Sequence, residues 1–294
     1  MDRMRVLVVG ATGPIGGTIA ARLIEAGCEV VGIARRTAAA ARSIPAAQWI
    51  TLDIAAAKRP EVWFPCLTGI DAVVNCAGVL QDSPYESTRA VHVDGVIALF
   101  AACERLAVRH VVHFSAIGVD REAPTPFSQR KIEGDRALMK CNLDWVILRP
   151  SVVVGAVAYG GSALFRGLAA LPLLPVMPET GLLQPVQLED VVETVFLCLA
   201  SKIPPRSALE LAGPDRLSVS EIVRQYRHWL GWREPRILPL PGWAAALLYS
   251  LGDFAGWLGW RPPMRSTARR EIVRGAVGDP SAWMRVSGIS CRRL

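Results

Sequence analysis

The sequence predicts an α/β fold: a doubly wound parallel sheet with a smaller lobe toward its C-terminal side. Three observations carry that expectation. Short apolar runs rich in Val and Ile alternate with segments of helical periodicity through the first 150 residues, as parallel strands covered by helices on both faces do. A strand, a glycine-rich turn and a helix follow one another at residues 5–24. Finally, 51% of the 294 residues are hydrophobic, enough for a sizeable core in one large domain or a domain with an appendage.

The first element organises the rest. Arg5–Val9 is an apolar, β-branched run that reads as a buried strand, and Gly10-Ala-Thr12-Gly13-Pro14-Ile15-Gly16 follows it directly. Residues 19–24 then carry apolar side chains at helical spacing. In that order the glycines point to dinucleotide binding in a Rossmann arrangement. Gly10 permits the tight turn, Gly13 lets the backbone approach a pyrophosphate, and Gly16 lets the helix pack near the strand. Thr12, Pro14 and Ile15 complete the turn. The helix N-terminus offers unpaired N–H groups and a partial positive charge to phosphate.

Further strands are expected at Glu29–Ala34, 48–52, 72–76, His110–Phe114 and 144–148, with helices over 86–107 and 128–140. This gives a dinucleotide-binding domain over 1–150. Residues 151–235 read as a substrate-side lobe interleaved with the sheet. It has Gly- and Pro-rich loops and helices over 189–200 and 218–229, the latter opened by a Ser218/Glu221 capping box. Residues 236–294 form a third segment of different character. Between Ile237 and Trp260 the only charge is Asp253, and four of nine tryptophans lie between Trp232 and Trp260. Prolines and glycines make it a poor transmembrane helix. An apolar, Trp-rich segment before an Arg-rich tail reads either as a contact with an anionic membrane surface or membrane complex, or as a packed helix with a solvated basic tail.

The net charge of +7 is concentrated in that tail, where eight arginines from Arg261 onward face only Glu271 and Asp279. The nucleotide domain is therefore near neutral, which argues against nucleic acid as a partner. Seven scattered cysteines, with no CxxC pair, read as reduced thiols in a cytoplasmic protein, and no metal site is expected. Met1-Asp-Arg-Met-Arg leads straight into the glycine motif without a signal peptide, so the expected location is cytoplasmic, peripheral on the inner membrane face.

Cofactor choice is read from the end of the second strand. Arg35 and Arg36 stand where an NAD-type domain carries an acid for the ribose hydroxyl, and their forked donors suit the 2′-phosphate of NADP. Asp53, followed by Ile54, is placed either to accept from the adenine amino group or to cap a following helix.

Gly10-Ala-Thr-Gly13-Pro-Ile-Gly16, Asp53, Asn75-Cys76-Ala77-Gly78, Ser115 and Arg149-Pro150-Ser151, in this order, resemble the extended and atypical short-chain dehydrogenase/reductase superfamily over about residues 5–230. The resemblance implies that residues 75–79, with Cys76, Ala77, Gly78 and Val79, line the adenosine and ribose side. It implies that Pro150, Val152 and Val153 shape the nicotinamide pocket. Its catalytic signature is a serine and a Tyr-x-x-x-Lys, in which the lysine lowers the tyrosine pKa and holds the ribose. Ser115 and Lys131 match; the tyrosine position holds Phe127, which has no proton to give. Ser128 and Tyr159 are candidate substitute acids, and each reads more naturally as structural. His113, in a strand, reads as a hydrogen-bonded neighbour and not a base.

Ser115-Ala-Ile-Gly118, Arg130-Lys131-Ile-Glu133-Gly134, 148–155 and Gln184-Pro-Val-Gln-Leu-Glu-Asp190 are similar to the NAD(P)H-binding accessory subunit of respiratory complex I and its bacterial relatives, with an NmrA-like redox sensor as neighbour. That likeness implies an NADPH-holding accessory, assembly or sensing protein near quinone chemistry. Some such relatives continue into a membrane domain, and the abrupt ending at Cys291-Arg-Arg-Leu294 reads as a cut before one. The rival expectation is an active NADP-dependent reductase or sugar-nucleotide epimerase with another acid.

Overall fold

Strands form where the β-branched runs predict them. The computed structural model describes residues 4–123, 125–156, 160–177, 179–260, 262 and 264–294. Along the chain run β1 (Arg5–Val9), α1 (Pro14–Glu25), β2 (Glu29–Ala34), α2 (Thr37–Ser43), β3 (Gln48–Thr51), α3 (Pro60–Leu67) and β4 (Ala72–Asn75). A π-helical stretch, Ala90–Gly95, leads into α4 (Val96–Arg105). Next come β5 (His110–Phe114), α5 (Pro126–Met139) and β6 (Asp144–Pro150). The second half adds β7 (Val153–Val154), α6 (Gly160–Ala169), β8 (Leu173–Val176), β9 (Val186–Gln187), α7 (Leu188–Leu199), β10 (Ser207–Leu211), α8 (Val219–Trp229) and β11 (Arg236–Pro239). Three helices end the chain: α9 (Gly242–Trp257), α10 (Ser266–Arg274) and α11 (Ser281–Ser287).

Seven strands make one sheet in the order β10-β6-β5-β4-β1-β2-β3, with every neighbouring pair parallel. Val9 is level with Ile33 on one side and Asn75 on the other. The strand order reverses between β1 and β4, and this opens a crevice beyond their carboxyl ends. Alternation along β1 sorts the core into two layers. Val6 and Val8 face a cluster that includes Ile19 and Leu23 of α1 and Val191 and Val195 of α7. Leu7 and Val9 face another, with Trp63 of α3 and Leu99 and Phe100 of α4.

Two differences from expectation have physical reasons. Ser207–Leu211, where no strand is expected, joins the sheet as a seventh strand beside β6, its Ser-Ala-Leu-Glu-Leu pattern alternating too weakly to be read as one. The helix expected over 86–107 starts at Thr88, because 80–86 instead form a loop in which Asp82 accepts from the Thr88 amide and Ser83 pairs with Glu86. The lobe itself is small, two-stranded sheets β7–β9 and β8–β11 with α6 and α8 around Phe165, Leu174 and Ile222. Ser218 and Glu221 make the expected capping box.

The last segment divides in two. Helix α9 is largely exposed, while α10 and α11 return to the sheet domain. Trp283 of α11 is fully buried in the sheet core and donates to Thr194 Oγ1 at 2.9 Å. The basic tail is solvated only in part: Arg270, Arg285, Arg292 and Arg293 are exposed, while others bond inward. Arg265 donates to the Asp82 carbonyl at 3.0 Å, and Arg274 donates to the Ile117 carbonyl at 3.1 Å and pairs with Glu271 at 2.8 Å. Arg292 lies 3.2 Å from Asp190. No helix of the described residues is long and apolar enough to cross a membrane.

Candidate functional site

The glycine turn is built as its sequence requires. Gly10 has φ +81°, and a Cβ there would stand 2.8 Å from the Ala77 amide nitrogen. On Gly16 a Cβ would come within 2.4 Å of the Gly10 carbonyl oxygen, so β1, α1 and the start of the next loop close up only without side chains. Pro14 occupies the first turn of α1, no side chain caps it, and no acid stands in that turn. Free N–H groups and the dipole are thus left for an anion.

A cavity of about 460 Å3 opens over this turn. Gly10, Thr12, Gly13, Pro14, Ile15 and Gly16 form its floor; Arg35, Asp53 and Ile54 form one wall; Cys76, Ala77, Gly78 and Val79 form the other. Sequence reasoning missed Tyr85, Glu86 and Ser87, which border the mouth from the loop after β4; no motif marks them. Glu86 lies 3.7 Å from Arg35. A wider depression shares Thr12, Gly13, Arg35 and Tyr85 and adds Arg36. Asp53 accepts from the Ala55 amide at 3.0 Å, in a turn; no helix begins there, since α3 starts at Pro60, so the helix-cap role is set aside. The uncapped helix end, the side-chain-free cradle and the two arginines fit a dinucleotide.

Ser115, Lys131, Pro150, Val152 and Val153 do not line this cavity. Ser115 and Lys131 belong instead to a buried polar network under β4, β5 and β6. The Ala77 amide donates to Asn75 Oδ1, which leaves Asn75 Nδ2 to donate to His113 Nδ1 at 3.0 Å. His113 Nε2 then faces Asp135 Oδ1 at 3.6 Å. Asp135, fully buried on α5, accepts from Ser115 Oγ at 2.9 Å and from Arg149 Nε at 3.1 Å. Arg149 also pairs with Asp120. Burial pushes the Asp135 carboxyl up, opposed by Arg149 and the Ser115 hydroxyl, while burial and the nearby Lys131 charge push His113 well below its ordinary value, so His113 is neutral.

Lys131 Nζ donates to the Phe114 carbonyl at 2.7 Å. Burial lowers its pKa to about 8, against the opposing pull of Asp135 and Cys76. The same burial raises the Cys76 thiol far above its ordinary range. Phe127 is half-buried and packs edge-on to His92, ring centroids 5.5 Å apart. His92 lies in the π-helical stretch, with Nε2 2.8 Å from the Val79 carbonyl and 3.1 Å from the Val79 amide nitrogen. Ser128 is taken up by capping α5: its amide donates to Thr125 Oγ1, and its hydroxyl donates to Glu271 at 2.9 Å. Tyr159 lies outside the described residues. Pro150 accepts from the Ile117 amide and Val152 from the Val186 amide, at the end of the sheet. Among the described residues no cluster of His, Cys, Asp and Glu could hold a metal ion.

Fold and site together define a Rossmann protein with a dinucleotide cavity. The model of the NAD(P)H-binding family matches residues 10–158, and the chain belongs to that family. An uncharacterized protein of Mycobacterium tuberculosis is 28% identical over 219 residues, 74% of this chain and 23% of the relative, so the chain spans about a quarter of that protein. The photosystem II assembly factor Ycf39 of Synechocystis is 31% identical over 147 residues, half of this chain and 44% of Ycf39. The Bordetella bronchiseptica enzyme WbmG, solved in complex with NAD, is 17% identical and superposes with TM-score 0.75 over all of this chain and 90% of its own; it shares the fold.

Proposed function

We propose that the protein holds NADPH in this cavity with weak or no classical reductase turnover. It serves as an accessory, assembly or redox-sensing protein beside a membrane, in respiratory or quinone metabolism. One observation carries the reading: the cradle is open and furnished, while the proton-transfer side is closed. Phe127 replaces the tyrosine, Ser115 gives its hydroxyl to Asp135, and Lys131 gives a hydrogen to the Phe114 carbonyl. A positioned acid or base is worth roughly a hundred- to ten-thousand-fold in rate, so this closure costs most of the chemistry. Arg35 and Arg36, exposed at the rim, support NADP over NAD through the charge and fork of their guanidinium groups. The likeness to an assembly factor in Synechocystis supports an assembly role over a metabolic one.

The test is calorimetry with both coenzymes. NADPH is expected to bind more tightly than NADH. Arg35→Ala with Arg36→Ala should weaken NADPH about ten- to a hundredfold and NADH less than about twofold. Equal losses on both would overturn the phosphate assignment. Phe127→Tyr should raise carbonyl reduction by less than about tenfold, because Ser115 stays bonded to Asp135; a gain approaching the full acid–base factor would show that the ring alone was missing. The rival reading, an active NADP-dependent reductase or sugar-nucleotide epimerase, draws on Lys131, whose pKa of about 8 suits proton exchange near neutrality. Steady-state turnover lost in Lys131→Met with NADPH affinity retained would favour it.

A further inference from the structure

Away from the cavity, the apolar surface gathers in one place. Of twenty-three large hydrophobic side chains exposed among the described residues, thirteen lie between Trp229 and Trp260. Scattered exposure of single residues needs no explanation, but a contiguous patch does. In α9 the exposed residues Trp243, Leu247, Leu251 and Phe254, continued by Leu258, recur at helical spacing and form one stripe.

The opposite face is packed. Ala245, Tyr249, Gly252 and Gly256 are buried, and a Cβ on Gly252 would meet the Met264 carbonyl oxygen at 1.7 Å. Asp253, the one charge between 237 and 260, turns inward: it accepts from Gln81 Nε2 at 2.7 Å and from the Ser266 amide at 3.1 Å. The outward stripe is therefore free of charge, and the helix is fixed with that stripe to solvent.

We propose that this stripe rests on an anionic lipid interface, α9 lying in the membrane plane with Trp243 near one end and Trp257 and Trp260 at the other. The proposal deepens the membrane location in the reading above and rests on it. Three observations select lipid. A helix of 16 residues is about 24 Å long, too short to span, and its small-residue face is already occupied. Tryptophans at both ends of an uncharged stripe suit the headgroup level, where indole is apolar in body and polar at one edge. Charge points the same way: between Trp229 and Arg270 the sequence holds six arginines, one of them the inward-bonded Arg265, against two acids, one of them the inward-turned Asp253. Arg233 and Arg236 before α9 and Arg270 after it are exposed.

Sedimentation of the full chain with vesicles tests this. Binding is expected to vesicles of phosphatidylcholine with phosphatidylglycerol, several-fold weaker to phosphatidylcholine alone, and weaker at high salt. Leu247→Ser, Leu251→Ser and Phe254→Ser combined should lower binding by at least about tenfold, since all three side chains are exposed and each removes apolar area from the contact. NADPH calorimetry on the same variant reports folding and should be unchanged. A full chain that stays in solution with both vesicles, or a variant that binds as well as the parent, overturns the proposal. So does sedimentation equilibrium showing a dimer that the triple variant dissolves, because a second copy then covers the stripe. Loss of coenzyme binding in the parent chain would sink the cofactor reading and leave the lipid result to stand by itself.

Discussion

The residues after β1 and those after β5 occupy corresponding positions at the carboxyl edge of one sheet, yet they use their polar groups in opposite ways. Beyond β1, backbone N–H groups are left open by an uncapped helix and by glycines that close the turn without side chains. Beyond β5, Ser115, Lys131, Asp135 and Arg149 hold their polar hydrogens in bonds to one another, to Asp120 or to a nearby carbonyl, and all four are buried. Anion binding by backbone depends on chain path, which a strand–turn–helix preserves whatever the neighbouring side chains do. Proton transfer depends on one side-chain atom being free, and a single internal hydrogen bond removes it. The two functions are therefore separable, and one can persist after the other is gone.

The sharpest way to break this contrast is Asp135→Ala. Removing the carboxylate leaves the buried Ser115 hydroxyl and Arg149 Nε without their acceptor, Arg149 keeping only Asp120, and should cost about 2–4 kcal/mol in urea unfolding, with NADPH affinity changed less than about threefold. A loss under about 1 kcal/mol would mean that the network is not structural. Gly16→Ala attacks the other side. Its Cβ collides with the Gly10 carbonyl, so calorimetry should show NADPH weakened about a hundredfold, or about 2.8 kcal/mol. An unchanged affinity would place the coenzyme elsewhere.

The smallest effect concerns pH. Lys131 has its pKa lowered to about 8 from 10.5 by burial, so between those values the unfolded chain carries the extra proton. By that sign, this group makes stability rise with pH across the window, and its full penalty is felt below about 8. Cys103 and Cys198, pushed up to about 12 from 9.0, oppose it as pH climbs past 9.0, equally in both proteins. The measured quantity is the difference between wild type and Lys131→Met in urea unfolding from pH 7.5 to 10. A difference that does not grow with pH would contradict the assignment.

Much of the sheet and the cradle could be read from the chain because both are local patterns. The β-branched runs and the Gly10, Gly13 and Gly16 spacing need no distant partner to be recognised. What escaped reading depended on distant partners. Asp135 sits in Gly134-Asp-Arg136, which looks like an ordinary solvated helix face until Ser115 and Arg149 are brought against it. Trp283 resembled part of a loose basic end, but Thr194, far back in the chain, gives its indole a buried acceptor. Counting arginines likewise cannot separate solvated charges from Arg265 and Arg274, which donate to the Asp82 and Ile117 carbonyls.

The tryptophans divide in a way that reaches beyond packing. Trp63, Trp145 and Trp283 are buried and Trp49 half-buried, whereas Trp229, Trp232, Trp243, Trp257 and Trp260 are exposed and close together along the chain. Indole emission shifts to the blue as its surroundings lose water, so the native protein carries two optical populations. The red-emitting one belongs to a single region. Iodide will quench that population first, and a blue shift confined to it will signal that the region has been covered, with no label attached.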